Sequence, residues 1–238
     1  MNDMTPPVIH RVTALDLPVE SWSWPFAEVR RAEIDAHFAQ ALREKPQMWN
    51  GRVLLGRHPV FAGNRLTAGY FETDFASFLA WRDWGFPDKD VFNGFGMGAL
   101  RCADGAFVLG EMGQHTSNAG RIYFPSGTPD LDDIRNGAVD IPGSVARELE
   151  EETGLAPGEY FGEADWHCVY TGPALAMIRL LHVDMSGEAL CARIEANLAL
   201  QQSPELSAIH LVREARDLND AMPRFVTAFI EAQLGRQP

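Results

Sequence analysis

Apolar positions along the chain follow two periods, and their alternation sets out the expected elements. Val29, Ile34, Phe38, Ala41 and Leu42 repeat at helical spacing, which predicts a helix over 27–45 that Pro46 ends. Residues 52–57 and 65–71 read as two strands around a turn at Ala62-Gly63-Asn64. Phe75, Phe78, Leu79 and Trp81 then predict a short helix, capped by Thr73 or Asp74. Strands are expected over 95–100 and 106–110 about Ala103-Asp104-Gly105, over 122–124, 166–171, 174–183 and 206–213. Helices are expected over 187–200 and over 218–234, the latter interrupted by Pro223. Residues 1–25, rich in Pro and Trp, read as extended.

The pattern turns on one stretch, Arg147-Glu148-Leu149-Glu150-Glu151-Glu152-Thr153-Gly154-Leu155. Ile141, Val145 and Leu149 repeat every four residues and give an apolar stripe. Glu148, Glu151 and Glu152 fall at i, i+3 and i+4, so their carboxylates share an adjoining face, with Glu150 on the opposite one. Asp140 can cap the start, Pro142 is tolerated in the first turn, and Gly154 suits a left-handed terminus. Like charges at this spacing cost about 0.2–0.5 kcal/mol a pair in an isolated helix. A hard divalent cation reverses the sign, because Mg²⁺ and Mn²⁺ prefer oxygen ligands. A merely solvated acidic face is the plain alternative for any Glu-rich helix.

Residues 147–155 resemble the second half of the Nudix box, Arg-Glu-apolar-x-Glu-Glu-x-Gly-apolar, at every fixed position. The first half departs from it. Gly127 is followed after five residues by Asp133 where the family has Glu, and the spacing from there to Arg147 is about six residues too long. Counted back from Arg147 without an insertion, the Glu position falls on Val139; whether Asp133 or Asp140 substitutes is left open. The resemblance implies a Nudix-type α/β/α sandwich with a mixed sheet over residues 93–238, with residues 1–92 as an N-terminal α+β accessory region packed on it. It implies Glu148, Glu151, Glu152 and the main-chain carbonyl near Gly127 as metal ligands, with Mg²⁺ as cofactor and Mn²⁺ as substitute. It casts Glu151 and Glu152 as catalytic, Glu205 as general base with Glu188 as runner-up, and Arg147, Gly154 and Asp133 as structural support of the site.

Composition narrows the partners. The 238 residues carry a net charge of −13, which argues against a nucleic-acid partner and requires that an anionic substrate meet local positive charge or metal. Three widely spaced cysteines form no disulfide framework or zinc motif, as expected of reduced thiols in a cytoplasmic protein. The polar start, Met1-Asn2-Asp3-Met4-Thr5-Pro6-Pro7, lacks the basic and apolar segments of a secretion signal, and no membrane partner is expected. The seven histidines show no ligand spacing. Gly94, Gly96 and Gly98 alternate along a strand and precede no helix, so they mark close backbone packing rather than a dinucleotide loop.

The resemblance therefore implies metal-dependent hydrolysis of a nucleoside diphosphate linked to another group, giving a nucleoside monophosphate and a phosphorylated product. The order helix, Trp49-Asn50-Gly51, hairpin, helix and Phe95-Gly96-Met97-Gly98 is similar to the accessory region of a branch that cleaves UDP-sugars, so a nucleotide-sugar such as UDP-glucose is the first expectation. A homodimer is compatible with this. The alternative is a non-catalytic module of the family that binds or senses a nucleotide.

Overall fold

The computed structural model describes residues 6–235. Most of the polar start, residues 1–5, lies outside them, as do the last three residues of the expected 93–238 domain. The chain opens with strands β1 (Val8–Val12) and β2 (Ala14–Asp16), then helices α1 (Pro25–Val29) and α2 (Arg31–Glu44). The single helix expected over 27–45 is broken at Arg30, whose backbone leaves the helical region. Strands β3 (Arg52–Ala62) and β4 (Arg65–Asp74) form a hairpin, and α3 (Phe75–Asp83) follows at once. Asp74 caps α3 by accepting from the Ser77 N–H at 2.9 Å.

Next come β5 (Val91–Cys102), β6 (Phe107–Met112), β7 (Ile122–Tyr123), and the short pair β8 (Ile134–Arg135) and β9 (Ala138–Val139). The acidic helix is α4 (Ile141–Thr153). The chain finishes with β10 (Phe161–Tyr170), β11 (Ala174–Val183), α5 (Gly187–Leu198), β12 (Leu206–Val212) and α6 (Arg224–Leu234). Pro223 is the N-cap of α6, so it starts this helix rather than interrupting one; its fixed φ suits a first turn and would clash further in.

One mixed sheet runs β1-β10-β11-β5-β3-β4-β2, with β6 also on β5 and carrying β12 and β7. β11 lies parallel to β5 and β2 parallel to β4; the other pairs are antiparallel. The sheet crosses residue 92 without a break: β3 pairs β5, and β1 sits against β10 at the far edge. Helices cover both faces. Ile141, Val145 and Leu149 of α4 pack with Leu190 and Ile194 of α5 on one side. Val226, Phe229 and Ile230 of α6 fill the other. Helix α3 covers the outer part of the sheet, with Phe78 and Trp81 against Val53, Leu55 and Phe71, and α2 packs on α3 through Ile34 and Phe38. This is an α/β/α sandwich with a mixed sheet, as the resemblance implied.

The alternating glycines of β5 set how closely α4 can approach. Phe95, Met97 and Ala99 point to the α6 side, so Gly94, Gly96 and Gly98 point to the other. A Cβ at Gly96 would stand 2.6 Å from Val145 Cγ2 and 2.8 Å from Ile141 Cγ2, and one at Gly98 would stand 2.9 Å from Leu149 Cδ1. The helix therefore lies directly on strand backbone. Among the described residues no helix is long and apolar enough to cross a membrane.

The fit gives a direct expectation. Gly96→Ala should destabilise the fold by about 1–3 kcal/mol, the usual cost of overpacking a core. Urea unfolding reads this as a lower midpoint at unchanged slope, and a midpoint equal to wild type would refute the close approach.

Candidate active site

The carboxylate face of α4 is presented by its own packing. The apolar stripe is pinned to β5, so Glu148, Glu151 and Glu152 emerge along the edge that faces the loop after β7. That loop is fastened down: the Gly98 N–H donates to the Pro125 carbonyl at 3.2 Å, and the Leu54 N–H of β3 donates to the Pro129 carbonyl at 2.7 Å. Gly127 lies against Glu148, and a Cβ there would stand 2.2 Å from Glu148 Oε1. No side chain but hydrogen fits without moving that carboxylate.

The three glutamates differ in environment. Glu152 is 5% exposed, accepts a hydrogen bond from the Ser126 backbone N–H, and its Oε1 has no hydrogen-bond partner. Burial, reinforced by Glu148 and Glu205, pushes its carboxyl well above the ordinary range. The side chain of Glu148 is 12% exposed and sits 3.0 Å from Arg147 Nη1. Burial pushes its carboxyl up to about 7; Arg147 opposes this, and Glu151 and Glu205 add to it. Desolvation thus outweighs the adjacent guanidinium. Glu151 is exposed and only 3.5 Å from Arg147 Nη1, in weak contact. Glu150 faces solvent, as its helical position implies.

Arg147 faces Asp133, whose two carboxylate oxygens each lie 3.1 Å from Nη2. Asp133 is buried, and its Oδ2 also accepts from the Asp130 N–H. The surplus loop length has a structural explanation. Residues 134–139 form the hairpin β8–β9, turned by Asn136 at φ 52° and Gly137 at φ 77°. Two consecutive positive φ values make the type I′ turn that Asn-Gly favours. At the neck, the Asp140 N–H donates to the Asp133 carbonyl at 2.8 Å. The six hairpin residues are bypassed in space, and Asp133 at the neck is the carboxylate that pairs with Arg147. Val139 faces the core instead, and Asp140 caps α4 through the Gly143 N–H at 3.1 Å. Gly154 closes the helix at φ 73°, a left-handed conformation that only glycine adopts freely.

A cleft of about 1050 Å³ opens in front of this face. Glu205 lines it together with Glu148 and Glu151, and its main chain is held by the Gly113 N–H at 2.7 Å. Glu188, the runner-up base, is bound 2.7 Å from Arg213 and is not among the cleft residues. The opposite wall comes from the first 92 residues: Trp49, Val53, Phe75, Phe78 and Phe86. Arg121 and Arg224 are exposed cations on the rim.

The oxygen-only donor set suits a hard divalent cation, and the partnerless buried Glu152 Oε1 is a donor in need of one. Among the described residues no group of three or more His, Cys, Asp or Glu side chains is already gathered to hold a metal ion. The candidate ligands are two buried carboxylates with the exposed Glu151 beside them.

No family model matches the chain, and no curated protein matches it. Solved structures do. A Nudix hydrolase from M. smegmatis aligns at 13% identity over 62% of this chain and 91% of its own, with a TM-score of 0.39. The MutT protein of Methanosarcina mazei Go1 aligns at 17% identity over 61% and 96%, with a TM-score of 0.39. A bifunctional NMN adenylyltransferase/ADP ribose pyrophosphatase from Francisella tularensis aligns at 13% over 67% and 45%, with a TM-score of 0.42. The chain resembles Nudix hydrolases. The reading of the site rests on α4 and its neighbours.

The raised carboxyls make the metal-free protein pH-sensitive. Between the ordinary Glu value near 4.5 and about 7, folded Glu148 keeps a proton that the unfolded chain has released. Stability is therefore full at the acid end of this window and falls as pH rises through it. The loss from Glu148 is on the order of 3 kcal/mol by the linkage relation. Thermal melts with chelator from pH 5 to 8 should show this decline, and Glu148→Gln should flatten it; an identical slope in the variant would rule out the burial argument.

Proposed function

We propose that the chain is a divalent-metal-dependent hydrolase of the pyrophosphate bond in a nucleoside diphosphate linked to another group, with a nucleotide-sugar as first candidate. The observation that carries this reading is the cleft, which brings Glu148, Glu151 and Glu205 into one space with the rings of Trp49, Phe75, Phe78 and Phe86. Its volume suits an organic ligand of nucleotide size. The aromatic wall offers a nucleobase a stacking surface, and polar residues of the opposite rim, such as Asn118 and Asp220, offer partners to hydroxyl groups.

In this reading Glu148, Glu152, Glu151 and the main-chain carbonyl at Gly127 hold the cation, Mg²⁺ or in its place Mn²⁺. Such a cation, when bound, acidifies a water and offsets charge on phosphoryl oxygens. Glu205, facing the cleft near the other carboxylates, accepts the proton of the attacking water. Arg147 touches no substrate; held by Asp133, it fixes Glu148 against Gly127. Arg121 and Arg224 give a chain of net charge −13 the local positive potential that an anionic substrate needs. Residues 1–92, whose strands share the sheet, supply the wall that selects the substrate.

Product release should be measured on UDP-glucose, ADP-ribose, NADH, coenzyme A and diadenosine polyphosphates with Mg²⁺. At least one compound is expected to turn over, and Glu152→Gln is expected to lower the rate by at least about a hundredfold while leaving the melting temperature equal or higher. Turnover unchanged in that variant would dismiss the metal-site assignment. No turnover with either Mg²⁺ or Mn²⁺, alongside tight binding, would mark a binding module.

A further inference from the structure

Trp49 is 81% exposed, far more than a large apolar ring usually is. The other five tryptophans have packing partners. Trp24, Trp81 and Trp166 are buried, Trp22 lies against Phe71 and Arg57, and Trp84 against Phe26, His37 and Arg30. Trp49 alone combines exposure with a place on the cleft that holds Glu148 and Glu205.

The backbone that carries the ring is anchored. Asn50 Oδ1 accepts from the Ala76 N–H at 2.8 Å, and the Gly51 carbonyl accepts from the Phe75 N–H at 2.8 Å. Both bonds tie the tripeptide to the first turn of α3. Before the ring, Gln47 Nε2 donates to the His115 carbonyl at 3.0 Å, and Lys45 Nζ donates to the Thr116 carbonyl. The segment is therefore anchored on both sides of Trp49. The ring itself lies over Gly51, where a Cβ would stand 2.6 Å from its Cζ3. Any larger residue at 51 would push the ring away.

An open indole on an anchored backbone, lining a cleft, is suited to a flat partner. Stacking covers its apolar face without asking for hydrogen bonds, and a nucleobase offers the flat π-face this needs, whereas a phosphate has none. We propose that Trp49 is the platform on which the substrate's nucleobase stacks, resting on the nucleotide reading above, and that through it the first 92 residues govern specificity. Trp49 takes no part in the chemistry of hydrolysis.

Calorimetric titration with Mg²⁺ present tests this on the wild type, Trp49→Ala, Trp49→Phe and Gly51→Ala, each checked for folding by circular dichroism. The probes are AMP, GMP, CMP and UMP, with ribose 5-phosphate as a control that has no base. At least one nucleotide should bind the wild type. Its affinity should fall about 10- to 100-fold in Trp49→Ala, the range of a single base stack. It should fall less than about threefold in Trp49→Phe, which keeps a ring, and in the same direction in Gly51→Ala, which displaces it. Ribose 5-phosphate should be indifferent to all three variants. No nucleotide binding by the wild type, equal affinity in Trp49→Ala, or an equal loss for ribose 5-phosphate would overturn the proposal. The hydrolase reading is judged separately: turnover whose KM is unmoved by Trp49→Ala sinks the stack and keeps the hydrolase, while Trp49-dependent binding without turnover does the reverse.

Discussion

Everything at the cleft depends on how closely α4 lies on the backbone of β5. Gly96 and Gly98 have no side chain to hold the helix off, so Ile141, Val145 and Leu149 reach the main chain itself. Seating one face of a helix so firmly fixes the rotation of the other. Glu148 and Glu152 are thereby driven into a low-dielectric seam that an isolated helix would never choose for them. Apolar packing thus places charges where, without a cation, they oppose folding.

The loops complete that placement. Glu148 is confined between Gly127 and Arg147, and Arg147 is in turn confined by the buried Asp133. The N-terminal segment braces the same assembly: the Val19 N–H donates to the Gly137 carbonyl, and the Val139 N–H to the Leu17 carbonyl. With the bond from Leu54 to Pro129, these bonds tie the N-terminal strands and their connections to the segment between β7 and α4, which leads into the acidic helix.

Much of this was legible in the residues. The ends of α4 could be read from Asp140, Pro142 and Gly154 because capping is local chemistry, and its apolar stripe gave the buried face. The alternating glycines of β5 announced close packing, though not against which helix, since that depends on contacts far apart in sequence. Which of Asp133 and Asp140 substitutes for the loop Glu is not legible from spacing alone. The signal that would have decided it was Asn136-Gly137, a hairpin turn in plain view. The exposure of Trp49 could not be foreseen, because a tryptophan is buried or open according to tertiary neighbours rather than to its own flanks.

The β8–β9 hairpin carries a wider consequence. Because the chain closes on itself between Asp133 and Asp140, the hairpin behaves as a parenthesis, and what stands inside it does not count toward the distance between the residues outside. A recognition pattern written as fixed gaps counts every letter and so misjudges this chain, whereas one written in hydrogen-bonded neighbours would read through it. Sequence distance and functional distance come apart wherever a turn of two left-handed residues can shut a short loop. A departure from a motif's spacing is then evidence about folding before it is evidence about function.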